Sequence, residues 1–284
     1  MAFPPGHFYS PELDHAALAQ ERGRVWGGER LDLIPGVDLA LDRQREILRR
    51  AAEFASDYDY ADEEADDARG FSDRNPFFSG LDSRMHFAML RLLQPKRMIE
   101  VGSGHSSLLT ADVNERFLGG GIDVTCIDPA PQARLRPILH TVAGISTVIE
   151  RRVEHVGLEP FLALQAGDLV FIDSSHVVKT GNDVVFLYLQ VLPRLAAGVV
   201  VHIHDIFIPD EYPEQWVLRE RRSWNEQYLV HALLVDSKGF RVLFGSHGAS
   251  LYLSADVFAA FGQHIGGGSI WVQRTAGEPQ REPW

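Results

Sequence analysis

The sequence predicts an α/β fold built on a doubly wound, Rossmann-like sheet of seven strands whose last strand is antiparallel. From residue 97 onwards, short apolar segments alternate with helical segments, which is typical of parallel strands joined by helices. Two further apolar segments end the series and predict a closing strand pair. We divide the 284 residues into a helical preface or lid at 1–82, a sheet domain at 83–275 and a C-terminal tail at 276–284.

The preface differs from the rest of the chain because its patterns predict helices alone. Ser10, which precedes a proline, predicts a capped helix over about 10–20. A second helix is expected at about 40–55, where apolar residues recur at helical spacing. A third is expected at 83–94, with Asp82 as its N-cap and a proline after its last residue.

Seven strands and five further helices are predicted in the sheet domain. The strands are expected at 97–101, 122–127, 146–150, 168–172, 198–203, 240–245 and 269–274. The helices are expected at 106–118, 131–144, 157–165, 183–195 and 224–235. The last helix follows Ser223-Trp-Asn-Glu226, which spells a capping box with Glu226 as its acid.

Composition and charge exclude several classes of function. The net charge of −12 argues against binding to nucleic acid or anionic membranes through bulk electrostatics. No run approaches the ~18 apolar residues of a membrane span, and the N-terminus lacks a signal-peptide pattern, so we expect a cytoplasmic protein. The single cysteine, Cys126, excludes a disulfide framework and is expected in the core. The acidic run at 57–68 indicates a solvated segment, with metal capture as the alternative.

A glycine loop follows the first predicted strand and indicates a ligand site at the carboxyl edge of the sheet. Gly102 and Gly104 allow a tight turn, and the helix that follows offers free N–H groups. A nicotinamide dinucleotide fingerprint would place a third glycine or alanine where Ser107 stands. Because Glu100 precedes the loop, a ligand with an ammonium group and no phosphate fits better, which favours S-adenosylmethionine (SAM).

The predicted SAM-binding residues follow the first, second and fourth strands. Asp128 stands at the end of the second strand, where a carboxylate can accept hydrogen bonds from ribose hydroxyls. The expected cofactor-binding residues are Glu100, Gly102, Ser103, Gly104, Asp128 and Asp173. In the alternative interpretation, the glycines and Asp128 only form turns after their strands.

These motifs resemble those of class I SAM-dependent methyltransferases over about residues 77–274. IEVGSGHSS matches the first motif of that superfamily, and CIDPAP matches the acidic end of its second strand. FIDSSHVVKTGNDV and LPRLAAGVVVHIHDIFIPDEYP resemble the branch that contains macrocin-type sugar O-methyltransferases. The resemblance implies SAM as cofactor and methyl transfer to a small molecule. The helical preface and the long connection 246–268 depart from the usual pattern.

Two polar blocks after the fourth and fifth strands define the predicted reactive end, Asp173-Ser-Ser-His176 and His204-Asp205. Methyl transfer is an in-line displacement that depends on positioning, and an alcohol acceptor must also lose a proton. His204 is the preferred base because the reference pKa of histidine lies near neutrality. Asp173 or Asp205 is expected to orient it, and His176 is the second choice.

The resemblance also implies a divalent metal, because macrocin-type enzymes hold magnesium with an Asp, a Glu and an Asp. Asp173 and Asp205 match this set, whereas His204 stands in place of the glutamate. Imidazole is a poor ligand for magnesium, which prefers oxygen. Three alternatives stay open: a metal-free mechanism, a weak magnesium site, or a softer ion such as manganese or iron.

Aromatic and basic residues near the same edge are candidates for the acceptor pocket. The aromatic candidates are Phe77, Phe78, Phe207, Tyr212, Trp216, Trp224 and Tyr228. A patch of Arg219, Arg221 and Arg222 could meet an anionic group, and Tyr9 lies in a segment that could close over the site. His202, within the fifth strand, is expected to be a core residue.

The sequence thus predicts a SAM-dependent methyltransferase that acts on a hydroxyl of a sugar or other small molecule, with His204 and Asp205 assisting deprotonation. A nicotinamide-dependent oxidoreductase is one alternative, which Glu100 and the missing third glycine disfavour. A non-catalytic SAM-binding module is the other, which the intact Asp173 and His204-Asp205 disfavour. The helical preface offers a surface for a homodimer.

Overall fold

A computed structural model describes residues 3–27, 34–60, 70–131 and 136–276. One sheet of seven strands runs through the molecule in the order β3-β2-β1-β4-β5-β7-β6. The strands are β1 Arg97–Val101, β2 Asp123–Ile127, β3 Thr147–Ile149, β4 Leu169–Ile172, β5 Val200–His204, β6 Phe240–Gly245 and β7 Ser269–Arg274. Strands β1 to β5 pair in parallel, and β7 is antiparallel to both β5 and β6. The predicted fold class is confirmed.

The α-helices lie in the preface and on both faces of the sheet. They are α1 His15–Gln20, α2 Arg22–Val25, α3 Leu41–Ala51, α4 Gly80–Leu93, α5 His105–Leu118, α6 Arg136–Leu139, α7 Val153–Val156, α8 Glu159–Leu162, α9 Asp183–Phe186, α10 Glu226–Leu234, α11 Ser246–Tyr252 and α12 Ser254–Phe261. The helical path of α9 continues to Arg194 through a π-helical and a 3-10 turn. None of the described helices is long and apolar enough to cross a membrane.

Each central strand sends alternate side chains into two hydrophobic clusters, one on each face of the sheet. In β1, Met98 packs into one cluster, while Ile99 and Val101 pack into the other. In β4, Phe171 packs into the cluster of Met98, and Ile172 packs into the other cluster. Because both faces are covered, these strands read as continuous apolar runs. Cys126 and His202 are fully buried, as predicted.

The starts of the preface helices differ from the predicted ones. The first helix begins at His15, because the Asp14 carboxylate accepts hydrogen bonds from the N–H groups of Ala16 and Ala17 at 3.1 and 2.9 Å. Ser10 lies outside that helix, where its hydroxyl accepts from Glu12 N at 3.2 Å. The second predicted helix is α-helical as far as Ala51 and continues as a 3-10 segment, Ala52–Asp57.

Two predicted helix caps are wrong, and both acids lie in the site described below. The third helix begins at Gly80, so Asp82 lies within its first turn and its carboxylate bonds the start of β7 instead. The helix predicted at 224–235 begins at Glu226 after the N-cap Asn225, and the Glu226 carboxylate bonds His176 instead of Ser223. In both cases the carboxylate bonds a residue distant in the chain instead of capping its own helix.

Other predicted helices are shorter than expected. Within 131–144 the described α-helix is the single turn α6, and residues 132–135 lie outside the described part. The α-helical part of the segment expected at 157–165 is α8, and Gly157, with a φ of 92°, is the C-cap of α7 before it. The long connection 246–268 contains α11 and α12.

The preface packs against the sheet domain. Leu48, Ala51 and Tyr60 belong to the same hydrophobic cluster as Met98 of β1. The predicted boundary at 82/83 falls inside α4, whose residues 81–90 are all buried. Residues 61–68 of the acidic run lie outside the described residues.

Candidate functional site

Two cavities open at the carboxyl edge of the sheet, and Asp173 and Ser174 line both. The first, called the cofactor cavity below, measures about 540 Å³ and lies over β1, β2 and β4. The second, called the acceptor cavity, measures about 600 Å³ and lies beside the end of β5. Volumes of this size match small-molecule sites. The arrangement can hold two small ligands end to end, with Asp173 between them.

The glycine loop forms one wall of the cofactor cavity. Gly102 has a φ of 86°, and a Cβ there would lie 1.8 Å from the carbonyl oxygen of Asp173. The N–H and hydroxyl of Ser103 each donate to Asp128 Oδ2 at 3.0 Å, which fixes that carboxylate at the end of β2. Gly104 is the N-cap residue of α5. Gly102, Asp128 and Asp173 therefore line the cavity at their predicted places.

Glu100 does not reach the predicted position in the cofactor cavity. It lies inside β1 on the same face as Met98, where it is fully buried and accepts a hydrogen bond from Ser106 Oγ at 2.5 Å. Burial raises the pKa of Glu100 to about 8. Because side chains alternate along a strand, Glu100 points to the same face as Met98, where it contacts Ser106 of α5 and Cys126 of β2.

The acceptor cavity has a floor of histidines and carboxylates. His176 Nδ1 lies 2.8 Å from Glu226 Oε2, and its Nε2 lies 3.2 Å from Asp173 Oδ1 and 3.4 Å from Asp205 Oδ2. Both ring nitrogens therefore face carboxylates. The four predicted catalytic residues, His204, Asp205, Asp173 and His176, meet here.

His204 stands at the end of β5 with its two nitrogens in different surroundings. Its Nε2 lies 3.6 Å from Asp82 Oδ2. Its Nδ1 lies 3.4 Å from Asp173 Oδ1 and 3.7 Å from Asp205 Oδ1. Among the described residues, this buried Nδ1 has no partner with hydrogen-bond geometry. A hydroxyl placed in the cavity could supply that hydrogen bond.

Opposing charges control the protonation of this cluster. Burial alone would lower the pKa of His176, but its hydrogen bonds with Asp173 and Glu226 raise it to about 10. Burial likewise opposes the charged form of His204, and the carboxylates of Asp205 and Asp173 raise its pKa well above the ordinary value. The neighbouring imidazoles outweigh burial and hold the pKa of Asp173 well below its usual range. Burial raises the pKa of Asp205.

The backbone is strained at two residues of the site. His176 and Asp205 have φ angles of 57° and 58°, in the left-handed region that residues other than glycine rarely adopt. Such conformations cost on the order of 1–3 kcal/mol and persist only where the surroundings impose them. For His176, the carbonyl oxygen accepts hydrogen bonds from the N–H groups of Asn225 and Glu226. These bonds tie the strained loop to the start of α10.

Three side chains of the cluster could hold a cation. One ligand atom each from Asp173, His176 and Asp205 lie within 4.8 Å of one another. The ligand set predicted from the sequence was Asp173, His204 and Asp205, so His176 replaces His204 in this group. Two carboxylates and an imidazole suit manganese, iron or zinc better than magnesium.

Some of the predicted pocket residues line the acceptor cavity. Phe77, Phe207, Trp216 and Trp224 line it, together with Arg222 and the glycines at 266–268. Arg222 lies 4.0 and 4.5 Å from the ring centroids of Trp216 and Trp224 and pairs with Glu220 at 2.6 Å. The other predicted wall residues, Phe78, Tyr212, Tyr228, Arg219 and Arg221, lie outside this lining.

Asp82 belongs to the site although the sequence indicated only a helix cap for it. It lines the acceptor cavity, and burial alone would raise its pKa. The charge of His204 and hydrogen bonds from Ser269 and Gly268 outweigh burial and hold that pKa below its usual value. Tyr9 lines neither cavity and is largely exposed, so its role in a lid stays a prediction.

Replacing Glu226 with glutamine should lower the free energy of unfolding, because His176 loses its nearest carboxylate. Removing one partner of a buried ion pair costs about 3–5 kcal/mol, and Asp173 and Asp205 should keep the loss near the lower value. The pKa of His176 is raised from 6.5 to about 10 on folding, so this stabilisation is complete below pH 6.5 and is lost as the pH rises through the folded pKa. Urea unfolding of the wild-type and Glu226→Gln proteins should show a larger difference in unfolding free energy at about pH 6 than at about pH 9.5.

The matched control is Glu220→Gln, which removes the partner of Arg222 from a pair that is about one-third exposed. Such pairs contribute about 1 kcal/mol or less. Equal losses of stability in the two variants would show that the buried contact to His176 adds nothing beyond a surface pair.

Comparisons with known proteins show which sequences and structures this chain is similar to. A family model described as a methyltransferase domain matches residues 99–206, which run from β1 past the end of β5. An uncharacterized protein of Archaeoglobus fulgidus is 30% identical over 164 residues, which cover 57% of this chain and 74% of that protein.

Two solved structures are also similar to this chain. The O-methyltransferase TomG of Streptomyces achromogenes, involved in tomaymycin synthesis and solved with SAM, is 15% identical with a TM-score of 0.39, over 81% of this chain and 90% of that one. The S-adenosylhomocysteine-bound methyltransferase PaMTH1 of Podospora anserina is 15% identical with a TM-score of 0.45, over 87% of this chain and all of that one.

Proposed function

The chain belongs to the family of that methyltransferase domain, and from this premise we propose that it transfers the methyl group of SAM to a hydroxyl of a sugar or other small molecule. The observation that carries the proposal is the pair of cavities that share Asp173 and Ser174. A methyl donor in one cavity and an acceptor in the other would meet above Asp173, as an in-line displacement requires.

In the cofactor cavity, backbone and carboxylate groups are available for the two ends of SAM. Asp128 is held by Ser103 and can accept hydrogen bonds from ribose hydroxyls. Gly102 offers backbone that a ligand can approach without a side chain in the way. Asp173 stays ionised because its pKa is lowered, which suits a position beside a sulfonium cation. The placement of Glu100 in the core removes it from this proposed set.

In the acceptor cavity, His204 is the proposed base. Its buried Nδ1 has no hydrogen-bond partner among the described residues and lies 3.4 Å from Asp173 and 3.7 Å from Asp205, whereas Nδ1 of His176 bonds Glu226 at 2.8 Å. SAM supplies the electrophilic methyl group. A sulfonium close to His204 would favour the neutral imidazole, because like charges disfavour the charged form. His176 would then remain the cation that offsets Asp173 and Asp205.

A divalent ion is compatible with the same cluster. Asp173, His176 and Asp205 would hold it, and an ion there would lower the pKa of an acceptor hydroxyl. With or without an ion, His204 would accept the proton of the acceptor hydroxyl, because His204 lies outside that ligand set.

Calorimetric titration of EDTA-treated protein with SAM tests the proposed function. We expect binding at about micromolar concentrations, in the range of typical substrate affinities, and no response to NAD. The titration is repeated with added magnesium and with added manganese. Tighter SAM binding with manganese than with magnesium would support the mixed ligand set.

The other outcomes are equally informative. Binding of NAD without SAM would replace the proposal with a nicotinamide-dependent oxidoreductase. Binding of SAM without release of S-adenosylhomocysteine in any acceptor screen would replace it with a non-catalytic SAM-binding module. No binding of either ligand would overturn the assignment of the cofactor cavity.

A further inference from the structure

We propose that Arg222 makes the site selective for acceptors that carry a carboxylate or phosphate group in addition to the hydroxyl that is methylated. This inference rests on the proposed function and narrows its acceptor class. The guanidinium would bind the anionic group and so direct the hydroxyl of the same molecule toward the cluster that contains His204 and Asp173.

Charge is distributed unevenly within the acceptor cavity. Arg222 is the one arginine or lysine among the described residues that line it, and the lining also contains the carboxylates of Asp82, Asp173 and Asp205. A guanidinium keeps its positive charge at every working pH, and like charges repel. An anionic group on the acceptor is therefore favoured at Arg222 and disfavoured beside the three carboxylates. This leaves the hydroxyl end of the acceptor to reach the reactive cluster.

The guanidinium of Arg222 is held in place by its neighbours. Its central carbon lies 4.0 Å from the ring centroid of Trp216 and 4.5 Å from that of Trp224, and the planes of the two indoles meet at 77°. The backbone N–H of Arg222 donates to the carbonyl oxygen of Trp216 at 3.0 Å. Contact with two aromatic rings restricts this long side chain, so binding of an anion costs less conformational entropy.

Part of the hydrogen-bonding capacity of Arg222 is unused. Its Nε donates to Glu220 Oε2 at 2.7 Å, and its Nη2 lies 2.6 Å from the same oxygen, whereas Nη1 makes no hydrogen bond to another described residue. A guanidinium has five N–H donors, and its planar fork matches the oxygens of a carboxylate or phosphate. Because both members of the pair with Glu220 are about one-third exposed, water screens the pair, and Glu220 competes only weakly with an anion in the cavity.

Trp224 connects this cationic group to the reacting end of the cavity. Its ring centroid lies 4.3 Å from that of His176, whose Nε2 faces Asp173 and Asp205. The guanidinium of Arg222 contacts the same indole. The proposed anion site and the reactive cluster are therefore separated by about one aromatic side chain. This separation fits an acceptor built on a single ring, with the hydroxyl and the anionic group at different positions.

Calorimetric titration of the full-length protein, saturated with S-adenosylhomocysteine to keep the cofactor cavity filled, tests the inference. The probes are two matched pairs, para-hydroxybenzoate with para-hydroxybenzamide and glucose 6-phosphate with glucose, which distinguish a carboxylate from a phosphate. We expect the charged member of at least one pair to bind roughly tenfold more tightly, the low end for a charge-assisted hydrogen bond because the guanidinium is partly exposed. Equal binding within both pairs would overturn the proposal.

Three variants locate the preference for the charged probe. Arg222→Gln should remove it, because glutamine carries no charge. Glu220→Gln should increase it, because the competing carboxylate is gone, and a merely structural role for Arg222 would give no such gain. Arg219→Gln is the matched control: Arg219 is exposed and lies outside the lining, so this variant should keep the wild-type preference. A preference that survives in Arg222→Gln would place the anion elsewhere and contradict the assignment.

SAM binding separates this inference from the proposed function. It should be unchanged in Arg222→Gln, because Arg222 does not line the cofactor cavity. If Arg222→Gln does not fold, the wild-type and Glu220→Gln titrations still decide the role of Arg222. Failure of SAM to bind the wild-type protein would refute the proposed function. SAM binding together with equal affinity for charged and neutral probes would refute only the role of Arg222.

Discussion

Replacing His204 with alanine should lower turnover by roughly 10²–10⁴-fold, which is the usual contribution of a positioned general base. The ring lies in the acceptor cavity and not in the lining of the cofactor cavity, so SAM affinity should not fall. The loss should therefore appear in kcat. The measurement is the release of S-adenosylhomocysteine with a saturating acceptor, taken from a screen of hydroxyl-bearing small molecules, beside a calorimetric SAM titration.

His140→Ala is a suitable control, because His140 is exposed and pairs with Glu150 far along the chain from either polar block. It should leave both turnover and SAM affinity unchanged. If His204→Ala also kept full turnover, His204 would have no role in proton transfer. His176→Ala would then be the next variant to measure, since its Nε2 faces the same cavity.

The sheet and the meeting of the two polar blocks could be predicted because both depend on short-range patterns. Continuous apolar runs mark strands that are buried on both faces, and all seven were placed within two residues of their observed ends. Parallel strands end at one edge of the sheet, and β4 pairs with β5, so Asp173, His204 and Asp205 come together there.

The partners of two acids in the site could not be predicted from local pattern. Asp82 and Glu226 each stood where a helix cap would have satisfied them, yet each bonds a residue far away in the chain. The partners lie 186 and 50 residues distant, and no local signal distinguishes such a contact from a cap. The error at Glu100 has a different cause. The predicted strand 97–101 already put Glu100 on the same face as Met98, but the acid was assigned to SAM from its charge and its place before the glycine loop.

The glycine at position 102 should be irreplaceable for two independent reasons. Its φ of 86° lies in a region that alanine adopts at a cost of about 1–2 kcal/mol. A methyl group there would also lie 1.8 Å from the carbonyl oxygen of Asp173, which is backbone and cannot move without shifting β4. Gly102→Ala should therefore lose about 3 kcal/mol or more of unfolding free energy.

Movement of the Asp173 carbonyl should also weaken SAM binding, because Asp173 lines both cavities. Urea unfolding and calorimetric titration measure the two effects. Gly104→Ala is the steric control, since its φ of −173° is extended and a methyl group there meets no atom within 4 Å. Its unfolding free energy should change by less than about 1 kcal/mol. A stable Gly102→Ala protein with wild-type SAM affinity would mean that the close approach of the loop to Asp173 does not shape the cofactor cavity.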